Sequence, residues 1–245
     1  VTEDRKVLWT QDYGVSSFLL DSTEKLSLYG LLNLLQDTAW LHIHHLGHGY
    51  AQRREQQSVW ILAQQTVRMQ EWPRWGESLQ IRTWLRHPAQ ATAVRDFELW
   101  SGLRQIGEAS ARYVTMDERT RRLVPVNVPP ELLLRRTGTL NPEKVPLQTG
   151  ATALATFRIR NSDLDFHGHV NNTRYALWIL DSLPQEVIQQ HEVVAYQVSF
   201  LAEVRARQEI EIQSRRLSAH CLYFQGWRAA DQTVVFTARL EAGAG

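Results

Sequence analysis

Apolar positions along the chain follow two spacings, one of three to four residues and one of two, and the succession runs through twice. Each run opens on a short extended segment, Val15 to Leu20 and then Thr156 to Arg160. A helix signal follows. Ser27 can cap a helix from about Leu28 to His45, with Leu28, Leu31, Leu32, Leu35 and Ala39 at helical spacing. In the second run Asn171 and Asn172 precede a helix that stops before Pro184, with Tyr175, Trp178, Ile179 and Ser182 on one face. Both helices also carry apolar residues off that face (Leu34 and Ile43; Leu177 and Leu180), the pattern of a helix wrapped by other structure.

Beyond each helix the period becomes two. Trp60 to Trp84 and Val194 to Arg215 both read as strand, turn, strand. They superpose without gaps at an offset of 131, which puts Val67 on Val198, Met69 on Phe200, Leu79 on Ile210 and Ile81 on Ile212. A later pair, Ala93 to Leu99 with Gly107 to Met116, has its counterpart in His220 to Trp227 with Thr233 to Leu240. The chain therefore reads as two copies of an α+β unit, one long helix with four or five antiparallel strands. Five of the eight prolines (Pro125, Pro129, Pro130, Pro142, Pro146) fall between Leu123 and Gly150, where lost backbone donors interrupt regular structure. This predicts an N-terminal repeat over residues 1–124, a proline-rich linker over 125–152 and a C-terminal repeat over 153–245.

Composition narrows the classes. Lys plus Arg number 27 and Asp plus Glu 26, which speaks against a strongly basic nucleic-acid binder and against an acidic disordered tail. Cys221 is the single cysteine, so a disulfide framework or thiolate metal cluster is excluded, and a reducing interior suits the chain. No apolar run approaches the roughly 18–20 residues that cross a bilayer. Val1 to Lys6 have no signal-like apolar core behind them. The expectation is a soluble, cytoplasmic protein with no membrane and no nucleic-acid partner. The sequence carries no P-loop, no G-x-G-x-x-G and no paired C-x-x-C, and leaves no room for a helix-turn-helix. Among the nine tryptophans, Trp72, Trp75, Trp84 and Trp100 read as sheet core rather than as a ligand platform.

One stretch concentrates chemistry, the thirteen residues from Asp163 to Tyr175 (D-L-D-F-H-G-H-V-N-N-T-R-Y). Its first seven residues hold two carboxylates and two imidazoles (Asp163, Asp165, His167, His169). A carboxylate and an imidazole four apart on a turn can converge on one point, and the helix that follows directs unpaired backbone N–H groups and partial positive charge toward it. A base or orienter, a proton donor and an oxyanion site are the parts that attack on a carbonyl requires. A polar turn closed by Asx-type caps uses the same residue types.

The stretch is similar to the active-site signature of the hot dog thioesterases, D-x-x-G-H-V-N-N-x-x-Y. The longer run through Trp178 to Pro184 resembles the acyl-[acyl carrier protein] thioesterases of plant plastids and bacteria. Leu31 to Ala39 resembles that family's first helix, Trp72-Pro73-Arg74-Trp75-Gly76-Glu77 its Y-P-K-W-G-E/D element, and Thr115-Met116-Asp117 through Arg121-Arg122 a further strand end. The resemblance implies a tandem double hot dog, each long helix wrapped by an antiparallel sheet. It also implies hydrolysis of fatty acyl-[acyl carrier protein] thioesters to free acid, which ends elongation, with no cofactor and no metal.

The family's catalytic aspartate falls on Asp165 and its histidine on His169. The asparagine between them is replaced by His167. The family glutamate falls on Glu203, and the cysteine that follows it in plant members is Val204 here, which removes a Cys–His nucleophile. Cys221 reads as a small buried apolar residue on a strand. By strand alternation Glu203 shares a face with Ser199 and Leu201, opposite Val198, Phe200 and Ala202. The implied mechanism has Glu203, with His169, activating water, direct attack by Glu203 being the second alternative. Asp165 orients the attacking group, the N–H groups near Gly168 and Val170 hold the oxyanion, and Asn171 and Asn172 bind substrate. Asp21 to Leu28 offers Asp21 and Glu24 but no histidine, so one active site per chain is expected, with the acyl pocket in the first repeat.

His42, His44, His45 and His48 have metal-ligand spacing at a helix end, where histidines also meet the helix dipole favourably. Arg119, Arg121, Arg122, Arg135 and Arg136 form two basic clusters that suit an acidic carrier protein, or simply face solvent. An acyl-CoA thioesterase of the same fold and a non-catalytic acyl-binding protein stand as the alternatives. Whether the chain forms a homodimer stays open, since a double hot dog already joins two repeats.

Overall fold

The computed structural model describes the chain apart from residues 1–6, 48, 50–57, 87–91, 127, 129–132, 135 and 245. Two compact units emerge, one formed by Val1–Leu26 with Gly30–Pro142 and one by Ser27–Tyr29 with Glu143–Gly245. Both are hot dogs, a helix against an antiparallel sheet.

The first unit contains β1 (Trp9–Gly14), α1 (Leu28–His45), β2 (Ser58–Met69), β3 (Ser78–Leu85), β4 (Thr92–Ser101) and β5 (Arg104–Asp117). Its strands run antiparallel in the order β1-β3-β4-β5-β2. Leu28, Leu31, Leu32, Leu34, Leu35 and Ile43 of α1 are buried, and so are the polar Thr38 and His42. Burial on several faces is what the apolar residues off the main stripe predict. Thr38 is satisfied by donating to the Leu34 carbonyl (2.7 Å) and by the Tyr13 hydroxyl (2.9 Å). His42 Nδ1 meets Nη1 of the buried Arg95 at 2.7 Å.

The second unit contains β6 (Thr152–Arg158), α2 (Asn172–Asp181), α3 (Gln185–Gln190), β7 (His191–Phe200), β8 (Glu209–Ser218), β9 (Cys221–Arg228) and β10 (Thr233–Ala244). Its order is β7-β10-β9-β8-β6. Tyr175 of α2 stands edge-on to Trp178, Phe200 and Phe236 at 5.1–5.3 Å, and this aromatic knot forms the core beneath the helix. A Cβ at Gly226 would lie 2.3 Å from the Phe236 ring, so only glycine lets β9 pass there.

Three of the four pairs matched by the 131-residue offset are equivalent in burial, with Val67, Val198, Leu79, Ile210, Ile81 and Ile212 all at most 1% exposed, while Met69 is buried and Phe200 only half-buried. Two expectations need correction. The first opening strand lies earlier than its apolar run, at Trp9–Gly14, and that run holds the 3-10 turn Ser17–Leu19. The second, Thr152–Arg158, starts earlier than expected but includes Thr156 to Arg158, and the 3-10 turn Asn161–Asp163 follows the run. The strand W-T-Q-D-Y-G has too few apolar residues to announce itself; its pairing with β3 makes it a strand. Of the four tryptophans assigned to the core, Trp72 and Trp84 are buried, but Trp75 is 70% exposed because it lies in the turn before β3.

Candidate active site

Two corners of the second unit bring the predicted residues together. The first runs from the 3-10 turn at Asn161–Asp163 to the start of α2. Asp165 folds its carboxylate back onto this turn, and Oδ1 accepts from the backbone N–H of His167 (2.9 Å) and of His169 (3.1 Å). The turn closes through Asp165 N to His169 O (2.7 Å) and Gly168 N to Asp165 O (3.0 Å). Gly168 adopts φ of 77°, which places it in the left-handed region. Asn171 then caps α2, its Oδ1 accepting from Thr173 N (3.0 Å) and Thr173 Oγ1 (3.1 Å).

The second corner follows β7. The amides of Leu201 and Ala202 both donate to the Val235 carbonyl (2.9 and 3.1 Å), which breaks the two-residue period. Glu203 therefore lies beyond the strand end. Its predicted facing with Ser199 does not hold, for Ser199 is fully buried and its Oγ accepts from Val145 N. The corners join where Val170 N donates to Val204 O (2.9 Å) and His169 bridges Arg205. As a result His169 Nε2 stands 3.4 Å from Glu203 Oε2, with both side chains partly open to solvent. The Arg205 guanidinium lies 3.6 Å from the same carboxylate oxygen.

The structure redirects three of the expected roles. Gly168 N, His169 N and Val170 N are each spent on an internal acceptor, so Gly168 and Val170 do not offer the oxyanion donors expected of them. Asp165 Oδ1 is engaged by the turn that carries His169. Asn171 is a helix cap, with Asn172 as the first helical residue beside it. His167 is exposed, and its ring lies 4.2 Å from that of Phe166, itself 65% exposed.

Cys221 and Arg228 occupy opposite ends of β9, about 23 Å apart at strand rise. Arg228 touches the Glu203 backbone, which leaves Cys221 far from the corner. The Cys221 thiol is only partly buried, and desolvation with help from Glu241 pushes it away from the thiolate form. Among the described residues no group of three His, Cys, Asp or Glu side chains could hold a metal; His48 lies outside them. Of the basic clusters, Arg136 is committed to Glu98 and to the Trp84 ring, and Arg135 is outside the described residues.

Three neighbours complete the corner, and two of them, Arg228 and Asp231, carried no sequence signal. Tyr175, read as apolar helix face, has its hydroxyl raised above the ordinary range by burial, with Asp165 and Glu203 adding to the shift and Arg228 opposing it. Arg228 and Asp231 sit in a strand-end turn that looks like any other polar hairpin.

The first unit repeats this corner with other side chains. Asp21 Oδ1 accepts from Thr23 N (2.8 Å), Asp21 N donates to Lys25 O (2.9 Å), and Leu26 N donates to Pro73 O (2.8 Å). Lys25 bridges Arg74 as His169 bridges Arg205. The position of His169 is thus Lys25, and that of Glu203 is Trp72.

Residues 6–134 match the family described as the acyl-ACP thioesterase N-terminal domain, and residues 148–241 its C-terminal domain. The oleoyl-acyl carrier protein thioesterase 1 of Arabidopsis thaliana is 26% identical over 225 residues, which cover 83% of this chain and 62% of that protein. The palmitoyl-acyl carrier protein thioesterase of Gossypium hirsutum is 26% identical over 217 residues, 80% of this chain and 52% of the relative. The chain thus spans less than two thirds of the length of these curated relatives. A solved acyl-ACP thioesterase from Bacteroides thetaiotaomicron superposes with a TM-score of 0.91 at 21% identity, covering 99% of this chain and 100% of the other. The 12:0-ACP thioesterase of Umbellularia californica gives 0.86 at 17%, covering 98% of each. Among the described residues no helix is long and apolar enough to cross a membrane.

Proposed function

We propose, from the acyl-ACP thioesterase family to which this chain belongs, that it hydrolyses fatty acyl thioesters of acyl carrier protein to free fatty acid and carrier thiol. The observation that carries the reading is the 3.4 Å approach of His169 Nε2 to Glu203 Oε2 at a partly exposed corner. A carboxylate against an imidazole can take a proton from water and hand it on. Water adds to the thioester carbonyl as Glu203 accepts its proton, and the new C–O bond forms. Collapse of the tetrahedral intermediate breaks the C–S bond, and the proton passes through His169 to the departing thiolate. Asp165 holds His169 in place through the turn. We assign the acyl pocket to the N-terminal repeat, residues 1–124, and catalysis to the C-terminal repeat, residues 153–245.

The test is free-acid release from matched acyl-carrier-protein and acyl-CoA thioesters, from octanoyl to stearoyl, by wild type and Glu203→Gln. The expected result is turnover of the carrier-linked panel, reduced by about 10²–10⁴ in the variant, the usual weight of a general base. Preference for the CoA panel would reassign the substrate. A folded wild type that turns over neither would leave an acyl-binding protein. His167 stands where the family has an amide, and both can donate a hydrogen bond. His167→Asn is therefore expected to keep turnover, His167→Ala to lower it, and an unchanged kcat in His167→Ala would exclude a direct role.

A further inference from the structure

We infer that Arg228, clamped by Asp231, is a positioning residue that fixes Glu203 for proton transfer. The inference rests on the hydrolase reading above and on the place of Glu203 in it. Arg228 ends β9 and is 9% exposed. Its guanidinium is held bidentately by Asp231, Nε to Oδ1 at 2.9 Å and Nη2 to Oδ2 at 2.8 Å, the planar fork that arginine alone provides. The remaining nitrogen, Nη1, donates to the Glu203 carbonyl (2.8 Å) and to Gln208 Oε1 (3.3 Å). Gln208 Oε1 in turn accepts from Arg205 N (2.8 Å). The main chain here is therefore gripped at two successive carbonyls. Arg228 holds the Glu203 carbonyl, and Val170, next to His169, holds the Val204 carbonyl. Arg228 thus fixes the Glu203 carbonyl itself, between the Ala202 amide held by Val235 and the Val204 carbonyl held by Val170.

The first unit shows that the fold does not require this clamp. Trp227 faces Glu211 as Trp100 faces Gln80, so the counterpart of Arg228 is Ser101. There the corner carries Trp72 in place of Glu203, and the nearby arginine, Arg104, pairs with Glu71 at the surface. The clamp is present where the glutamate is present. Burial of a guanidinium is costly unless it is paired, and Arg228 is paired to a carboxylate that also sets its direction. Misplacement of a reacting group by about 1 Å can cost about 10²-fold in rate, which is the scale on which such a grip acts.

The experiment measures kcat and KM of the full chain on an acyl-carrier-protein thioester for wild type, Glu203→Gln, Arg228→Gln, Asp231→Asn and the double variant Arg228→Gln/Glu203→Gln. Circular dichroism and thermal midpoints confirm folding. Arg228→Gln is expected to lower kcat about 100-fold and Asp231→Asn about 10-fold, with KM within about two-fold of wild type. Because Arg228 acts through Glu203, the double variant should be no more than about two-fold slower than Glu203→Gln alone. A folded Arg228→Gln with wild-type kcat would overturn the inference. So would a double variant slower than Glu203→Gln by the whole Arg228 factor, since that is an independent structural loss. If Arg228→Gln fails to fold, unchanged kcat in Asp231→Asn overturns it, and a lowered kcat with unchanged KM supports it. An inactive wild type removes the hydrolase reading and the inference with it. An active wild type with an equally active Glu203→Gln instead removes Glu203 from the mechanism.

Discussion

At Asp21–Leu26 and again at Asp165–Val170 the chain builds the same corner, down to the carboxylate that folds back on its own turn and the amide that reaches across to the second loop. The side chains on that shared backbone differ where chemistry would act. Lys25 answers His169, Trp72 answers Glu203 and Thr23 answers His167, while Asp21 answers Asp165. The first corner is thus an internal control for the second. An aspartate present in both is explained by the turn. The imidazole–carboxylate pair, present in one only, is what the turn was left to carry. Even the left-handed positions are exchanged. Glu24 (φ 62°) stands where Gly168 (77°) does, and Gly76 (79°) where Arg207 (66°) does.

The largest expected effect comes from making the second corner resemble the first. His169→Lys should lower free-acid release by about 10²–10⁴ while leaving the thermal midpoint close to wild type, because lysine already occupies this backbone in the other repeat. An unfolded His169→Lys would break the equivalence. Next comes the shared aspartate. Asp165→Ala and Asp21→Ala should each cost about 1–2 kcal/mol in denaturant unfolding through lost turn hydrogen bonds, but only the former should reduce kcat. An equal loss of kcat in both would show that the corners are not functionally distinct.

Smaller effects probe the exchanged conformations. No atom lies within 4 Å of a Cβ built at Gly168, so Gly168→Ala should cost only the left-handed penalty, about 1 kcal/mol. Glu24→Gly should return a similar amount, read from the same unfolding curves. The smallest effect concerns the clamp missing from the first corner. Hydrogen bonds from Arg228 hold the Asp231 carboxyl below the usual carboxylate range. A depressed carboxyl contributes stability above its ordinary value of about 3.9 and loses it as pH falls through the depressed one. Wild type and Asp231→Asn should therefore differ in thermal midpoint at neutral pH and converge in strong acid.

Much of the fold was legible because burial writes itself into period. The eighteen residues of α1 and the equivalences of Val67 with Val198 and of Leu79 with Ile210 follow from spacing alone. The first opening strand was not legible, since Trp9–Gly14 is held by its pairing with β3 rather than by an apolar pattern. At the site, the spacing of carboxylate and imidazole on a turn was legible, while the choice of Asp165, His169 and Glu203 came only through family likeness. What no linear reading supplies is where a backbone N–H is already spent. Donors at Gly168 and Val170 look available in sequence, and the fold uses both. Arg228 and Asp231 escaped notice for the same reason, because their partner is a main-chain carbonyl twenty-five positions away from Arg228.

The amides of Asp165, His167, Gly168, His169, Val170 and Asn171 each reach an acceptor, although most of these residues sit at or near the surface. A surface loop ordinarily trades its amide protons with solvent almost at once. This one should retain them, exchanging only when the whole corner opens, with lifetimes closer to those of the sheet than to those of the exposed turn at Gly102–Leu103. Such a loop is stiff before any ligand arrives. The ordering of His169 is then completed when the chain folds.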